Sequence, residues 1–254
     1  MINKKIGYLG IIARMGSQRL VDKHMIEINQ QPIIQYLIDR LSFHLKEEIN
    51  KNKLQIVILT GSKNKNKLLE NIANICGIKI FYGNDDNIPL RMIDFLKYTK
   101  GNFIIPIDGD DILCSPEGIK SIIGRLNEGE EYIQTRGLPF GMNSMGLTTK
   151  FLEDSINYIN REKLETGWGW IFNKEKCYYI DYELIDERLR FTLDYLEDLH
   201  FFENIILNKI DIISISTKDI IDLVIRKKYY LTNQEINKMY WTNFNKQQKM
   251  EMEE

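Results

Sequence analysis

The sequence predicts an α/β protein built on a doubly wound, mostly parallel sheet. Short apolar runs rich in β-branched residues recur along the first half of the chain and are typical of buried strands: 5–13, 54–60, 78–83 and 102–108. Segments with apolar residues at helical spacing lie between these runs: 32–45, 65–76 and 88–99. Strands that alternate with helices form a parallel sheet with helices on both faces.

The first strand, "KIGYLGIIA", ends abruptly in a polar loop, and the first helix follows with Pro32 at a favourable first-turn position. The second half is less regular. Glycine and proline in 132–151 predict a loop-rich excursion that serves as an acceptor lid or a subunit contact. We further expect a strand ending at Asp194 followed by a helix, a last strand at 210–216, and helices from Lys218 onward.

This pattern predicts one α/β domain over 1–217 with a helical extension of the same domain over 218–254. The 254 residues carry 34 basic and 36 acidic side chains, so the net charge of −2 does not favour general binding to nucleic acid or to an anionic membrane. The three cysteines have no paired spacing, which indicates a reducing cytoplasm. No run reaches the ~20 apolar residues of a membrane span.

The loop after the first strand is small and cationic. Arg14, Arg19 and Lys23 surround Gly16 and Ser17 at the predicted carboxyl end of the strand. The loop is neither a Walker A sequence nor a G-x-G-x-x-G turn. Backbone N–H groups and several cations together bind a polyphosphate and neutralise a departing pyrophosphate. The alternative is a solvated basic turn.

An acidic cluster follows another apolar strand. Asp108, Asp110 and Asp111 would repel one another unless a cation lies between them, and Mg²⁺ prefers one or two carboxylates completed by water and phosphate oxygens. The alternative is an Asp-Gly turn with capping aspartates. Asp194 is a further carboxylate at a predicted strand end, with a helix N-cap as its alternative role.

Two tryptophans in "ETGWGWIF", Trp168 and Trp170, are separated by one glycine in a loop-rich region. Such rings line an acceptor pocket, and core packing is the alternative. The histidines at 24, 44 and 200 form no pair with metal-ligand spacing.

The segment "IIARMGSQRLVDKHMIEINQQPIIQYLIDRL" (11–41) resembles the opening signature of CMP-sugar synthetase-like cytidylyltransferases, nearest to the spore-coat polysaccharide biosynthesis type and related to CMP-KDO and CMP-sialate synthetases. That signature reads I-x-A-R-x-G-S-x-R-L-P-G-K-x-L. The chain matches it in register at Ala13, Arg14, Gly16, Ser17, Arg19, Leu20 and Lys23. It departs at 21–22, where Val-Asp replaces Pro-Gly.

Three later blocks follow in the same order. "YGNDDNIPLRM" (82–92) is similar to G-S-E-D-D-V-L-x-R-Y and keeps Arg91. "IDGDDIL" (107–113) stands where the family has V-T-G-D-C-P-L, and "FTLDYLEDLHFFENI" (191–205) resembles T-V-D-T-P-E-D-L. The resemblance implies the nucleotide-diphospho-sugar transferase type of sheet, with Asp110 and Asp194 at the two metal positions.

The acceptor side departs from the family. Met145 stands where a glutamate of the family falls, and Thr166 replaces a histidine. These segments shape the acceptor side and the subunit contact, so we expect an acceptor different from KDO and the common sialic acid, recognised through Trp168 and Trp170.

The resemblance implies a Mg²⁺-dependent cytidylyltransferase, a cytoplasmic homodimer that transfers CMP from CTP to a sugar acid or a phosphorylated small molecule for surface-polysaccharide synthesis. The expected nucleotide-binding residues are Ala13, Arg14, Gly16, Ser17, Arg19, Lys23, Arg91 and Asp110. Arg14, Lys23, Asp110 and Asp194 are the expected catalytic residues. A glycosyltransferase of the related fold and a non-catalytic nucleotide-binding homologue are the alternatives.

Overall fold

The computed structural model describes residues 6–17, 19–157, 162–208 and 211–253. Strands and helices alternate through the first half of the chain as the sequence predicts. The strands are β1 (Gly7–Ile12), β2 (Glu27–Ile28), β3 (Gln31–Pro32), β4 (Leu54–Thr60), β5 (Lys79–Tyr82), β6 (Phe103–Asp108), β7 (Tyr132–Arg136), β8 (Met145–Thr148) and β9 (Tyr178–Asp181). The helices are α1 (Ile33–His44), α2 (Lys46–Asn50), α3 (Lys63–Ile75), α4 (Ile88–Thr99), α5 (Pro116–Glu128), α6 (Thr149–Asn157), α7 (Leu196–Ile206), α8 (Thr217–Lys227) and α9 (Ile236–Glu253).

The main sheet has the strand order β5-β4-β1-β6-β8-β7-β9 over the described residues. All neighbouring pairs are parallel except those that involve β8, which is antiparallel to both β6 and β7. The central strand β1 lies between β4 and β6, and Ile12 at its end is level with Leu59 and Asp108. The ends of these three strands therefore meet at one edge, and the prediction of a mostly parallel α/β sheet is confirmed.

The two faces of β1 belong to two different cores. Leu9 and Ile11 pack in a cluster with residues of α1, α3 and α5, whereas Tyr8 and Ile12 pack in a cluster with residues of α4 and α6. Strands buried on both faces are apolar throughout, which is why the sequence shows continuous runs and no alternation. No helix in the described ranges is both long and apolar enough to cross a bilayer.

The prediction for 132–151 is wrong in part. Strands β7 and β8 and the start of α6 occupy most of this segment, and the loop is confined to 137–144. The glycines mark the loop, with Gly137 and Gly141 at positive φ. The strands themselves form through pairing of Tyr132 with Leu147, which the local composition does not reveal.

Two predicted strands are also corrected. Residues 189–194 run extended but join no sheet, apart from one bridge between Phe140 and Arg190. Residues 211–216 form turns, because Arg40 from α1 donates to the carbonyl oxygens of Ile212 (2.8 Å) and Ile215 (2.7 Å). Residue 210 lies outside the described residues. Helices follow from residue 217 onward, as predicted.

Gly141 allows the extended segment 189–194 to lie against the loop after β7. Its φ is +85°, and a Cβ there would stand 2.6 Å from the backbone carbonyl of Phe191. We expect Gly141→Ala to lower the free energy of unfolding by about 1–3 kcal/mol, measured by urea denaturation.

Gly124 is the matched control. It lies in α5 with open space around its Cα, so Gly124→Ala is expected to leave stability unchanged or to raise it by up to about 1 kcal/mol. Equal effects of the two alanines would show that the loop yields to the added methyl group without cost.

Candidate active site

The loop after β1 and the turn after β6 meet at the carboxyl edge of the sheet. The N–H of Gly109 donates to the carbonyl of Ile12 at 2.7 Å, which fixes the turn beside the loop. After the loop, a short 3₁₀ turn (Lys23–Met25) directs Lys23 back toward the sheet edge. In parallel α/β sheets this edge is where ligands bind.

The ammonium group of Lys23 lies between two carboxylates. It donates to Asp110 and, at 3.1 Å from its Nζ, to Oδ1 of Asp194. The side chains are 9% exposed for Lys23 and 3% exposed for Asp194, so the contact is nearly dry. The structure thus brings together three of the four residues that the sequence marked as catalytic.

Arg19 adds a second cation to the same carboxylate. Its Nη2 lies 2.6 Å from Oδ1 of Asp194, and its guanidinium is 5.4 Å from the ring centroid of Tyr195. The side chain is only half-buried, so one side of it faces solvent. A partly exposed guanidinium can donate hydrogen bonds to an anionic ligand while it keeps its buried partner, here Asp194.

Behind Asp194 lies a fully buried ion network that the sequence analysis missed. Arg190 donates through Nη2 to Oδ2 of Asp194 (2.9 Å) and through Nε to Oδ1 of Asp198 (2.9 Å). The ring of Tyr240 from α9 covers this guanidinium at 4.3 Å. The signal was present in "RFTLDYLED", where Arg190, Asp194 and Asp198 follow at intervals of four residues.

Asp194 is not the cap of α7. That helix begins at Leu196, and the carboxylate of Asp198 accepts from the backbone N–H groups of Asp194 and Tyr195, each at 3.0 Å. Asp198 therefore closes the helix start, and the carboxylate of Asp194 is directed to its three cations.

The ion pairs between Lys23 and its two carboxylates favour the ionised forms of Lys23 and Asp110. Burial alone would raise the pKa of Asp110, but Lys23 outweighs this effect and holds the pKa below its usual value. Burial alone would lower the pKa of Lys23, and the carboxylates of Asp110 and Asp194 reverse the shift and raise it. Lys23 is therefore a fixed cation at neutral pH and not a general base.

His24 is buried beside this cluster as a neutral ring. Burial and the charge of Lys23 lower the pKa of His24 to about 4. Because a carbonyl only accepts, Nδ1 of His24 carries the proton and donates to the carbonyl of Arg14 at 3.1 Å. His24 thus holds the backbone of the loop at the position of Arg14.

The other predicted nucleotide residues differ in exposure. Ala13 is buried, and Gly16 takes a positive φ of 87° where the loop turns. Ser17 accepts weakly from the N–H of Leu20 at 3.5 Å. Arg14 is 52% exposed and pairs with Glu165 at 2.8 Å, so its guanidinium stands at the mouth of the site.

Arg91, a predicted nucleotide-binding residue, contacts the backbone of a neighbouring loop. It is fully buried, and its guanidinium donates to the carbonyls of Asn84 (2.9 Å) and Asp85 (3.0 Å). In this arrangement Arg91 holds the loop 83–87, which lies next to Arg14.

Two clefts open at the sheet edge. The first, with an open volume of about 530 Å³, lies beyond β6 and is lined by Pro106, Ile107, Asp108, Asp111, Gln134, Thr135, Asn143, Ser144, Met145 and Trp168. The second, of about 280 Å³, lies beyond β1 and β4 and is lined by Arg14, Met15, Gly61, Lys65, Asn66, Asp85 and Asp86. In the first cleft, burial and the charge of Asp110 raise the pKa of Asp111 well above its usual value.

The two tryptophans have different places. Trp168 lines the first cleft and also packs edge-on against Phe172, with 5.9 Å between the ring centroids. Its ring therefore belongs both to the cleft and to the core. Trp170 is half-buried and is not among the residues lining either cleft. Met145 lies in the first cleft, next to Trp168.

The donor set suits Mg²⁺. Asp110 and Asp194 direct carboxylate oxygens at one point, the Nζ of Lys23, and Mg²⁺ is commonly held by one or two carboxylates together with substrate phosphates. Within the described ranges no group of three or more His, Cys, Asp or Glu side chains is arranged to hold a metal. A Mg²⁺ ion would therefore need ligands beyond protein carboxylates, and Asp110 and Asp194 would hold it only together with substrate phosphates and water.

Comparison with known proteins identifies relatives of this chain. The sequence model of a family described as cytidylyltransferase matches residues 10–169. The spore coat polysaccharide biosynthesis protein SpsF of Bacillus subtilis is 25% identical over 199 residues, which are 74% of this chain and 81% of that protein.

Two solved structures share the fold. A cytidylyltransferase from Leptospira borgpetersenii superposes with a TM-score of 0.78 at 22% identity and covers 91% of this chain and 97% of its own. A CMP:2-keto-3-deoxy-manno-octonic acid synthetase in complex with CTP superposes with a TM-score of 0.56 at 11% identity, covering 81% of this chain and 100% of its own. At these identities the likeness shows the fold.

Proposed function

Because the chain belongs to the cytidylyltransferase family, a family of nucleotidyltransferases, we propose that it transfers CMP from CTP to a small acceptor and releases pyrophosphate. The observation that carries the proposal is the convergence of Lys23, Asp110 and Asp194 at the carboxyl edge of the sheet. A glycosyltransferase, the alternative enzyme, would instead start from a nucleotide sugar.

The two clefts suggest where each substrate lies. The cleft beyond β1 and β4 is lined by Arg14 and Lys65 together with Asp85 and Asp86, and Lys65 pairs with Asp85 at 2.9 Å. We assign the nucleotide to this cleft because it opens directly at the loop after β1. The cleft beyond β6 is the larger of the two, and its polar lining suits a small hydroxylated molecule. Asp110 stands between them, because β1 and β6 are neighbours in the sheet. With this assignment the acceptor and the pyrophosphate would lie on opposite sides of Asp110, as an in-line displacement needs.

Each cation has a role in this arrangement. Arg14 and Arg19 are partly exposed, and their guanidinium groups would bind the β- and γ-phosphates. Lys23 would stabilise the negative charge that grows on the departing pyrophosphate. Gly16 lets the loop turn with positive φ, so that backbone N–H groups can approach the phosphates. Arg91 would contribute indirectly, because it holds the neighbouring loop 83–87 through the carbonyls of Asn84 and Asp85.

Mg²⁺ bound by Asp110 and Asp194 would supply Lewis acidity and neutralise charge at the α-phosphate. Asp110 and Asp194 would hold the ion at that position, and Arg190 holds the carboxylate of Asp194 from behind through a contact of 2.9 Å.

The direct test follows pyrophosphate during incubation with CTP, Mg²⁺ and a panel of sugar acids, sugars and sugar phosphates. We expect release that requires both CTP and an acceptor, falls when UTP or ATP replaces CTP, and stops on addition of EDTA. Transfer of sugar from a nucleotide sugar without pyrophosphate release would favour the glycosyltransferase. A protein that binds CTP and never turns it over would be the non-catalytic homologue.

Lys23→Met is expected to lower kcat by about 10²- to 10³-fold at saturating CTP, because deleting one fixed electrostatic stabiliser at a dry site has effects of this size. CTP affinity should fall more than CMP affinity, measured by calorimetry. The control is Lys97→Met, which removes an exposed lysine of α4 that pairs with Glu153. Because CMP lacks the β- and γ-phosphates, equal losses of CTP and CMP affinity would show that Lys23 does not interact with these two groups.

Trp168→Phe is expected to raise the acceptor KM about tenfold while the KM for CTP stays unchanged, as happens when contacts to only one substrate are lost. Trp170→Phe should change the acceptor KM less, since its ring is not part of the cleft lining. Steady-state kinetics with the best acceptor of the panel measure both. If the Trp168 variant raised the KM for CTP and the KM for the acceptor by the same factor, the role of this ring would be to maintain the structure.

The biological setting is also part of the proposal. The likeness to the spore coat polysaccharide biosynthesis protein SpsF supports a role in surface-polysaccharide synthesis. We place the enzyme in the cytoplasm, where CTP is made, as a homodimer whose mass light scattering would measure.

A further inference from the structure

The cleft beyond β6 is polar and acidic. Two carboxylates, two side-chain amides and two hydroxyls line it, together with apolar surface from Pro106, Met145 and Trp168. None of the described residues that line it is Lys, Arg or His. An anionic ligand would therefore meet carboxylates in this cleft and find no counter-charge among those residues.

Asp108 and Asp111 stand at the two ends of one tight turn. The N–H of Asp111 donates to the carbonyl of Asp108 at 2.9 Å, and such a turn keeps its end residues within about 7 Å. In the part of the chain that the structure describes, neither carboxylate has an ion-pair partner within 4 Å, although Asp111 has a hydrogen bond with Thr192. Burial and the charge of Asp110 raise the pKa of Asp108 to about 7 and the pKa of Asp111 well above its usual value, as expected for carboxylates that lack a counter-charge. In the family pattern V-T-G-D-C-P-L these two positions hold Thr and Cys, so both carboxylates are additions of this chain.

Two further side chains indicate a ligand. Ser144 is 8% exposed, and its hydroxyl is buried at the cleft with no hydrogen-bond partner. A buried hydroxyl without a partner is costly unless a ligand or water completes it. Trp168 presents an indole ring to the same cleft, and indole faces attract ammonium groups.

We propose that the acceptor is an amino sugar, whose ammonium group lies between Asp108 and Asp111 and whose hydroxyl binds Ser144. This inference rests on the proposed function and names the substrate class of its acceptor cleft. The two carboxylates supply the counter-charge, and Trp168 covers the ring of the sugar. The positive charge of the ammonium group would favour the ionised form of both carboxylates, whereas the carboxylate of a sugar acid would bring them no counter-charge.

The transfer step balances as follows. An oxygen of the acceptor forms a bond to the α-phosphorus of CTP, and the bond from that phosphorus to the oxygen bridging to the β-phosphorus breaks. The bridging oxygen leaves with the electron pair as pyrophosphate, and a hydroxyl nucleophile releases its proton to water. The amine takes no part in bond formation and stays protonated.

Matched acceptors test the charge preference. With CTP and Mg²⁺ we would compare glucosamine with N-acetylglucosamine and glucuronic acid. Pyrophosphate release should give a kcat/KM at least about tenfold higher for the amine than for its acetylated or carboxylate counterpart. A preference for the acetylated or carboxylate sugars overturns the inference.

Variants locate the preference. Asp108→Asn and Asp111→Asn should each reduce the ratio of amine to acetylated acceptor toward one, with the CTP KM and the Mg²⁺ dependence unchanged. Asp181→Asn, which removes an exposed carboxylate paired with Arg136 outside the cleft, should leave the ratio as in the wild type. If the variants instead shift the Mg²⁺ dependence and lower all acceptors equally, the two carboxylates serve the metal and the inference is wrong.

A binding measurement separates the two proposals. Calorimetric titration of the whole protein with glucosamine, N-acetylglucosamine and glucuronate, each with and without CTP, reports the charge preference even if no pyrophosphate is released. Amine preference in binding without turnover would support the cleft assignment and contradict the proposed reaction. Turnover without amine preference would support the reaction and refute the cleft assignment.

Discussion

Asp110→Asn is expected to lower kcat by about 10³-fold or more and to leave the fold intact. The amide keeps the size of the side chain but removes the charge that faces Lys23 and that would hold Mg²⁺ at the reacting phosphate. Because Lys23 keeps Asp194 as a partner, the loss of stability should be small. Pyrophosphate release measures kcat, and circular dichroism with thermal unfolding measures the fold.

Asp194→Asn provides the comparison. It should lower kcat as strongly, but it should also lower the Tm, because Asp194 is the shared partner of Arg19, Lys23 and Arg190. Asp154→Asn, an exposed change on α6, is the control for both. Near-normal turnover of the Asp110 variant, with the metal bound as before, would remove Asp110 from the metal site.

Arg190→Met should lower the free energy of unfolding by about 3–5 kcal/mol, since removing one partner of a buried ion network leaves the other charges uncompensated. Arg190 is fully buried, and its loss would leave Asp198 with no cation among the described residues. Urea denaturation measures the effect. Arg136→Met, which removes an exposed arginine from its pair with Asp181, should leave the unfolding midpoint nearly unchanged.

A double-mutant cycle sharpens this prediction. Asp198→Asn removes the second buried charge but keeps an amide oxygen for the N–H groups of Asp194 and Tyr195. The double variant Arg190→Met/Asp198→Asn should therefore lose less stability than the sum of the single variants. Strict additivity would show that the two side chains do not interact energetically.

The sequence predicts the first half of the fold well because each element there carries its own signal. Residues 54–60 are apolar on both faces and form β4 as predicted, and 88–99 has helical spacing and forms α4. Pairing between distant segments decides the second half. The run 210–216 is as apolar as a strand, yet Arg40 of α1 takes up the carbonyls of Ile212 and Ile215 that a strand would use.

The same distinction holds for the candidate site. Residues at strand ends could be found, because the topology of a parallel sheet brings strand ends together whatever the details. The four-residue spacing of Arg190, Asp194 and Asp198 indicates the pairing but does not establish it, since Arg190 is held by Asp198 of α7 and covered by Tyr240 of α9. The burial of Arg91 could likewise not be predicted from the sequence, because an arginine in a helix is usually on the surface.

The ion cluster joins parts of the chain that are far apart in sequence. Arg19 and Lys23 are separated from Asp194 by 175 and 171 residues. During translation the basic loop therefore emerges long before its acidic partner, and it remains exposed while the parallel strands assemble. Contacts of such long range slow folding. We therefore expect the candidate site to be among the last parts of the nascent protein to form. A chain that binds its nucleotide would then be one in which residues up to Asp194 have been synthesised and folded.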